Sequence, residues 1–304
     1  MHAQDGHIAL GYDYVIRHLE IVLNGEHWIV SRQGKPWTLS GPRRVPPQID
    51  IRKPSAARVY DAILGGKDNF PWDRAVAAAV IAAFPQAASS AILNRQVLER
   101  AVRYLHERGI DQFLDVGSGL PTARNTHEIA QELNPRAVVA YVDNDPIVLT
   151  HARAQLAEDA ATTVVTADVR HPDTILNSPE ITTFLDFSRP VGLILNGLIH
   201  HLSDDEDPHG VVVKLTSALA PGSYLQLTHF STAAPAAAAL ERVLMRSLGS
   251  GRMRSAEEIT AFFDGLELVN PGVVFLPEWR PDRPVDHPLE IGAQLLLTGL
   301  ARKP

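Results

Sequence analysis

The residues of this chain suited to holding a nucleotide-like ligand stand at the ends of short apolar runs. The first run, 112–116, carries Asp115 and leads into Gly117-Ser118-Gly119-Leu120-Pro121. Glycines at such a turn let backbone N–H groups approach a ligand closely and allow a sharp entry into the next helix. The second run ends at Asp143, followed by Asn144. This acid falls roughly 20 residues beyond the glycine loop, where a carboxylate accepts hydrogen bonds from ribose hydroxyls. The third leads to Asp168-Val169, which offers a carboxylate to an adenine amino group and an aliphatic face to the ring. The fourth ends at Asn196, near where the transferred group would lie.

Singly these features are ordinary: glycine turns are often plain tight turns, and a strand-end aspartate is often a helix cap, as Asp145-Pro146 is read here. Their order carries more weight, because three successive runs end in an acid at one edge of a sheet. A pyrophosphate fingerprint would place a third glycine at 122, where Thr122 stands. Asp115 would repel a pyrophosphate and suits a cationic amino-acid headgroup. The expected ligand is S-adenosylmethionine, held by Asp115, Gly117, Gly119, Asp143, Asn144, Asp168, Val169 and Asn196, with S-adenosylhomocysteine as product.

Methyl transfer from a sulfonium requires alignment of donor and acceptor and, for a hydroxyl or ammonium acceptor, removal of a proton. His200, Tyr60 and Asp68 are the candidate catalytic groups, with Lys67, Asn69, His201 and His229 as candidate contacts to the acceptor. Adjacent side chains diverge, so only one of His200 and His201 is expected to face the pocket. Their spacing does not put two imidazoles on one side of a helix or turn, so no metal site is expected. Gly65-Gly66-Lys67 lacks the flanking glycine and the Ser or Thr of a phosphate loop and reads as a bend between helices.

The elements that would position these groups follow from periodicity. Residues 54–107 are helical in pattern, with Ala56, Val59, Tyr60 and Ile63 on one face and Val97, Ala101, Val102 and Leu105 on another. Strands at 112–116, 137–142, 163–166, 191–195 and 224–229 then alternate with helices at 122–133, 146–157 and 210–219, and a further helix covers 255–264. Such alternation predicts a doubly wound, mostly parallel sheet with helices on both faces. The last two strands, 268–275 and 291–300, have no helical pattern between them. They are expected to run antiparallel, since parallel neighbours need a crossover of about a dozen residues or more. The expected fold is therefore a Rossmann-like α/β domain over 54–304, with a seven-stranded sheet, an antiparallel last strand and a helical cap at 54–107. Residues 1–53 read as an appendage: a β-hairpin over 18–39 around Asn24-Gly25, then a Pro- and Arg-rich link. Arg43, Arg44, Arg52, Lys53 and Arg58 are read as a solvated basic stretch.

Composition narrows the classes. There is no cysteine, so disulfides, thiolate metal sites and a cysteine nucleophile are excluded. A formal charge of −7 argues against a main role in gripping a phosphate backbone, so no nucleic-acid partner is expected. The longest uncharged apolar stretch, 75–84, is far short of the roughly 20 residues of a membrane span, and the start lacks the order of a signal peptide. A cytoplasmic protein with no membrane partner is expected, and a homo-oligomer is compatible with the sequence.

Several stretches also resemble a known family: PSAARVYD (54–61), LGGKDNF (64–70), FLDVGSGLPT (113–122), YVDNDP (141–146), APGSYL (220–225), 263–271 and WRPD (279–282). These are similar to the actinobacterial S-adenosyl methyltransferase family, formerly grouped as a domain of unknown function, over about 54–301. The resemblance implies a Rossmann-like class I methyltransferase with a helical cap over the cofactor, and it implies no particular acceptor. The function expected is methyl transfer from S-adenosylmethionine to a small molecule. The alternative is a non-catalytic regulatory protein binding the same cofactor, which the lack of an unambiguous base leaves open. A nicotinamide oxidoreductase is disfavoured and would require the last strand to run parallel.

Overall fold

The computed structural model describes residues 18–23, 26–31, 38–42, 50–121, 124–155 and 159–304. The chain divides into two compact units, Met1–Ile49 and Asp50–Pro304. In the first, β1 (His18–Leu23), β2 (Glu26–Ser31) and β3 (Thr38–Pro42) form an antiparallel sheet in that order. β1 and β2 pair up to Leu23↔Glu26, while the Asn24-Gly25 turn itself lies outside the described residues. The expected hairpin thus gains a third strand, because the second edge of β2 offers a row of unpaired backbone groups that β3 satisfies.

The second unit begins with α1 (Ala56–Ile63), α2 (Pro71–Ala83) and α3 (Ala87–His106). It continues through β4 (Gln112–Val116), α4 (Thr126–Leu133), β5 (Val138–Asp143), α5 (Pro146–Gln155), β6 (Thr162–Thr166), α6 (Pro172–Leu176), α7 (Pro179–Thr182) and β7 (Gly192–Asn196). Then follow α8 (Pro208–Ser217), β8 (Tyr224–Phe230), α9 (Ala237–Leu248), α10 (Ala256–Ala261), β9 (Glu267–Leu268), β10 (Val274–Phe275) and β11 (Leu296–Arg302). The sheet runs β10-β11-β8-β7-β4-β5-β6, with β9 also on β11. β4 to β8 are parallel to one another, and β11 is antiparallel to β8, β9 and β10. The sheet has eight strands where seven were expected. The run 268–275 splits into β9 and β10 because the turn at Pro271 and Gly272, where Gly272 N–H bonds to Val269 O at 2.8 Å, lifts the chain off β11. The first part of 291–300 is likewise a 3-10 turn (Ile291–Gln294) ahead of β11. No single helix among the described residues is long and apolar enough to cross a membrane.

Side chains on a strand alternate between the two faces of the sheet, and each face has its own core. Phe113, Tyr141, Ile194 and Tyr224 pack with Val97, Leu98, Ala101 and Leu105 of α3, which buries an i, i+3, i+4 stripe. Leu114, Val142, Leu195 and Leu227 pack on the opposite face with α8, α10 and Phe262. By the same parity Asp115, Asp143 and Asn196 stand on the α3 side. Helix α3 is therefore as much a layer of the sheet domain as a part of the cap.

The cap is anchored by charge. Ser55 caps α1, its Oγ accepting from Arg58 N–H at 3.3 Å. Arg58, expected in a solvated stretch, is instead buried and pairs with Asp73 at 3.1 Å. Asp73, fully buried, also accepts from the N–H groups of Ser55 (3.2 Å) and Phe70 (2.9 Å). The correction has a simple cause: Arg58 falls on the inward face of α1, between Ser55 and Val59, where a partner on α2 meets it. Arg52 and Lys53 are exposed, while Arg43 and Arg44 lie outside the described residues. Removing one member of a buried pair strands the other charge, at a cost of about 3–5 kcal/mol. Asp73→Ala is expected to destabilise the protein by about that amount, measured by chemical denaturation, and a fall of under about 1 kcal/mol would contradict this account.

Candidate functional site

A cavity of about 480 Å³ opens at the carboxyl ends of β4, β5 and β7, beside the reversal of strand order between β4 and β7. Asp115, Gly117, Gly119, Asp143, Asn144, Asp168, Val169 and Asn196 all line it. So do Tyr60 from α1, Asn94 and Arg95 from α3, His200 and His201, and Leu240, Leu244 and Leu248 from α9.

The loop after β4 crosses to β5 through hydrogen bonds from Gly117 N–H (2.7 Å) and Ser118 N–H (3.3 Å) to Val142 O. Gly117 has φ +75°, and a Cβ there would come within 2.6 Å of the Leu198 side chain, so this position requires glycine. Thr122 lies outside the described residues. Asp143 accepts one backbone N–H on each oxygen, from Gly119 at 2.8 Å and from Asp145 at 2.9 Å. Each oxygen keeps a lone pair, which fits it to accept ribose hydroxyls. Asp115 is buried and accepts from Thr126 Oγ1 at 2.6 Å.

Burial pushes the carboxyls of both Asp115 and Asp143 up to about 6. For Asp115, the Thr126 hydroxyl and the Arg95 charge oppose the rise; for Asp143, backbone N–H groups do. Asp168 goes the other way. Arg170 grips it with Nε at 2.9 Å and Nη2 at 2.5 Å, and holds its carboxyl down at about 2. Asn144 donates to the same carboxylate at 3.3 Å. Asn196 accepts from Thr228 Oγ1 at 3.0 Å and donates to Asn94 O at 3.4 Å, which fixes its amide between β8 and α3.

The two histidines correct an expectation. His200 and His201 were expected to diverge, yet both line the cavity with ring centroids 4.6 Å apart. The 3-10 turn Ile199–His201 after β7 brings them together. His200 stacks on Phe230 at 3.7 Å, and His201 Nδ1 lies 3.0 Å from Ser250 Oγ. Burial lowers both imidazoles, His201 to about 4 and His200 well below its ordinary value, the latter aided by the neighbouring His201, His229 and Arg254.

The other expected contacts fall elsewhere. His229 stands outside the cavity lining because β8 parity turns it to the opposite face, where it stacks on Phe262 at 5.6 Å. Its Nδ1 lies 2.8 Å from Phe230 O and its Nε2 2.9 Å from Arg254 Nη1, so it accepts from the guanidinium there. Lys67, Asp68 and Asn69 also stand outside the lining. Their segment wraps Asp61, whose carboxylate accepts from Asp68 N–H (3.0 Å) and Asn69 Nδ2 (2.8 Å); Lys67 is exposed. A Cβ on Gly66 would fall 1.9 Å from Asp61 Oδ1, so the second glycine serves this wrap. Tyr60 keeps its place at the cavity, donating from its hydroxyl to Ala91 O at 3.0 Å, and burial raises its phenol.

The residues that periodicity did not single out are Asn94 and Arg95. Polar side chains in the middle of the inward stripe of α3 were the available signal.

The chain matches the model of a family described as S-adenosyl methyltransferase over residues 42–304. A crystal structure of a candidate methyltransferase from Thermobifida fusca YX is 53% identical, with a TM-score of 0.82 over 85% of this chain and 98% of that one. A DUF574 family protein from Streptomyces avermitilis MA-4680 is 38% identical, with a TM-score of 0.81 over 84% of this chain and 100% of that one. No curated protein matches the chain.

A carboxyl whose pKa is raised on folding binds its proton more tightly in the native state, so it lowers stability as pH rises from its unfolded value through its folded one. For Asp115 that interval runs from 3.8 to about 6. Asp115→Asn is expected to stabilise the ligand-free protein by about 2–3 kcal/mol at pH 7, a gain that vanishes towards pH 4. Denaturation midpoints measured across that range test this, and a destabilised variant at pH 7 would contradict it.

Proposed function

We propose that this chain, which belongs to the S-adenosyl methyltransferase family and is an S-adenosylmethionine-dependent methyltransferase, delivers the methyl group in line to a small acceptor held beneath its helical cap. The observation that carries the reading is the convergence of the strand-end acids, the glycine loop and the histidine pair on one cavity. When bound, the cofactor supplies a methyl group activated by a sulfonium.

In this reading Asp143 accepts the ribose hydroxyls and Asp115 faces the methionyl ammonium. Asp168, Asn144 and Val169 border the adenine, and Gly117 and Gly119 allow close approach of the loop. Asn196, held by Thr228 and Asn94, borders the transfer point. The acceptor lies towards Tyr60, Phe230 and the leucines of α9, an apolar wall suited to a small molecule rather than a polymer. His200 or His201 takes the acceptor's proton. An imidazole held at about 4 stays in its proton-accepting form across the physiological range, so its own titration does not limit activity there. Asp68, Lys67 and Asn69 act on the site only through the fold, and His229 acts through its edge contact with His200, with ring centroids 5.5 Å apart. The same reading places the reaction in the cytoplasm.

Two outcomes test the cofactor site. Asp143→Ala should weaken S-adenosylhomocysteine binding about 10- to 100-fold by calorimetry, the range expected from losing hydrogen bonds to a charged group. Affinity should also fall by up to about tenfold per carboxylate between pH 7 and pH 5, because Asp115 and Asp143 bind the ligand as anions and protonate near 6. Absence of binding by the natural protein would end the proposal. His200→Ala and His201→Ala should each lower turnover with little change in cofactor affinity, read as S-adenosylhomocysteine released with an acceptor found by screening phenols and amines.

A further inference from the structure

Two arginines, Arg95 and Arg170, line the cavity, and a third, Arg58, is buried beside it. Arg58 pairs with Asp73 and Asp145, and Arg170 pairs with Asp168 and Glu206. Arg95 differs. It stands on α3 among the residues lining the cavity, close enough to Asp115 for its charge to act there and within hydrogen-bonding reach of the Tyr60 hydroxyl. No carboxylate among the described residues forms an ion pair with it, and its Nε is enclosed without a hydrogen-bond partner. The adjoining Asn94, 5% exposed, has an enclosed Oδ1 that is also without a partner.

Partly burying a guanidinium without a counter-charge is costly, and a fork of parallel N–H donors matches a carboxylate. In the same cavity, Asp115 presents an anion. A cation and an anion facing one space are complementary to a zwitterionic α-amino acid headgroup, in which an ammonium and a carboxylate sit on one carbon. Asp115 alone would compensate only half of such a group.

We infer that Arg95 binds the methionyl carboxylate of the cofactor, so that Arg95 and Asp115 together form a site for the zwitterionic headgroup. The inference rests on the cofactor reading above and adds one residue and one charge to it. Selectivity for a ligand with the intact amino-acid tail then comes from α3, and the loop and strand ends hold the adenosine.

The test compares two probes on the full chain by calorimetry: S-adenosylhomocysteine, which has the headgroup, and 5′-deoxy-5′-methylthioadenosine, which keeps the adenosine and thioether without it. Arg95→Met should weaken the first about 10- to 100-fold and the second by less than about threefold. Arg95→Lys, which keeps the cation and loses the fork, should fall between the natural protein and Arg95→Met for the first probe, and it carries the test should Arg95→Met fail to fold. Equal losses for both probes, or no loss for either, would overturn the assignment and leave Arg95 a structural or acceptor-side residue. A natural protein that binds both probes equally well would overturn it too. One that binds neither would instead overturn the cofactor reading on which the assignment stands.

Discussion

Cap and sheet meet at one buried carboxylate, Asp145. Its Oδ2 accepts from Ser55 Oγ at 2.6 Å and lies 3.7 Å from the Arg58 guanidinium; its Oδ1 accepts from Ile147 N–H at 2.9 Å, at the start of α5. Its own N–H donates to Asp143. One residue thus joins the first cap helix, the helix after β5 and the strand-end acid Asp143. Because Arg58 is shared with Asp73, the second cap helix is tied into the same cluster. In low-dielectric surroundings such a cluster holds only when every member is present. The cap is therefore set on the cavity by charge pairing as well as by apolar packing.

That rigidity supports a site that is poorly satisfied by the protein itself. Asp115 and Asp143 are buried carboxyls pushed up to about 6, and Arg95 forms no ion pair among the described residues and has an enclosed Nε without a hydrogen-bond partner. Each contributes unfavourably to the ligand-free fold, and in the proposed function each meets a charge or hydroxyl of the cofactor. Such groups persist because the surrounding core over-determines their positions: Phe113 and Leu114 precede Asp115 in a strand buried along its whole length. The histidine pair follows the same logic, with two imidazoles kept neutral by burial beside a leucine-lined wall.

The strand-end acids were legible because parallel strands bring successive carboxyl ends to one edge, so linear order maps onto spatial proximity. His229 was legible in principle and was misjudged. It shares the parity of Leu225 and Leu227, and that alternation alone directs it away from the face carrying Thr228 and Asn196. The Gly65 to Phe70 segment was conspicuous as a motif, yet its glycine and amide serve to enclose Asp61. A distinctive string shows that a backbone is constrained without showing by what.

From the sequence alone came the alternating strands and helices, the antiparallel last strand, the order of acids at the sheet edge and the resemblance to a methyltransferase family. All depend on local periodicity and on spacing along the chain. Tertiary structure alone decided that Arg58 is buried, that His200 and His201 face one cavity, and that Arg95 and Asn94 line that same cavity. These depend on which helix face meets which strand end and on where a 3-10 turn redirects two adjacent side chains, relations between segments far apart in sequence. The order of the strand-end acids was written along the chain, and the Arg95 charge that acts on Asp115 became visible only when α3 was laid across the sheet.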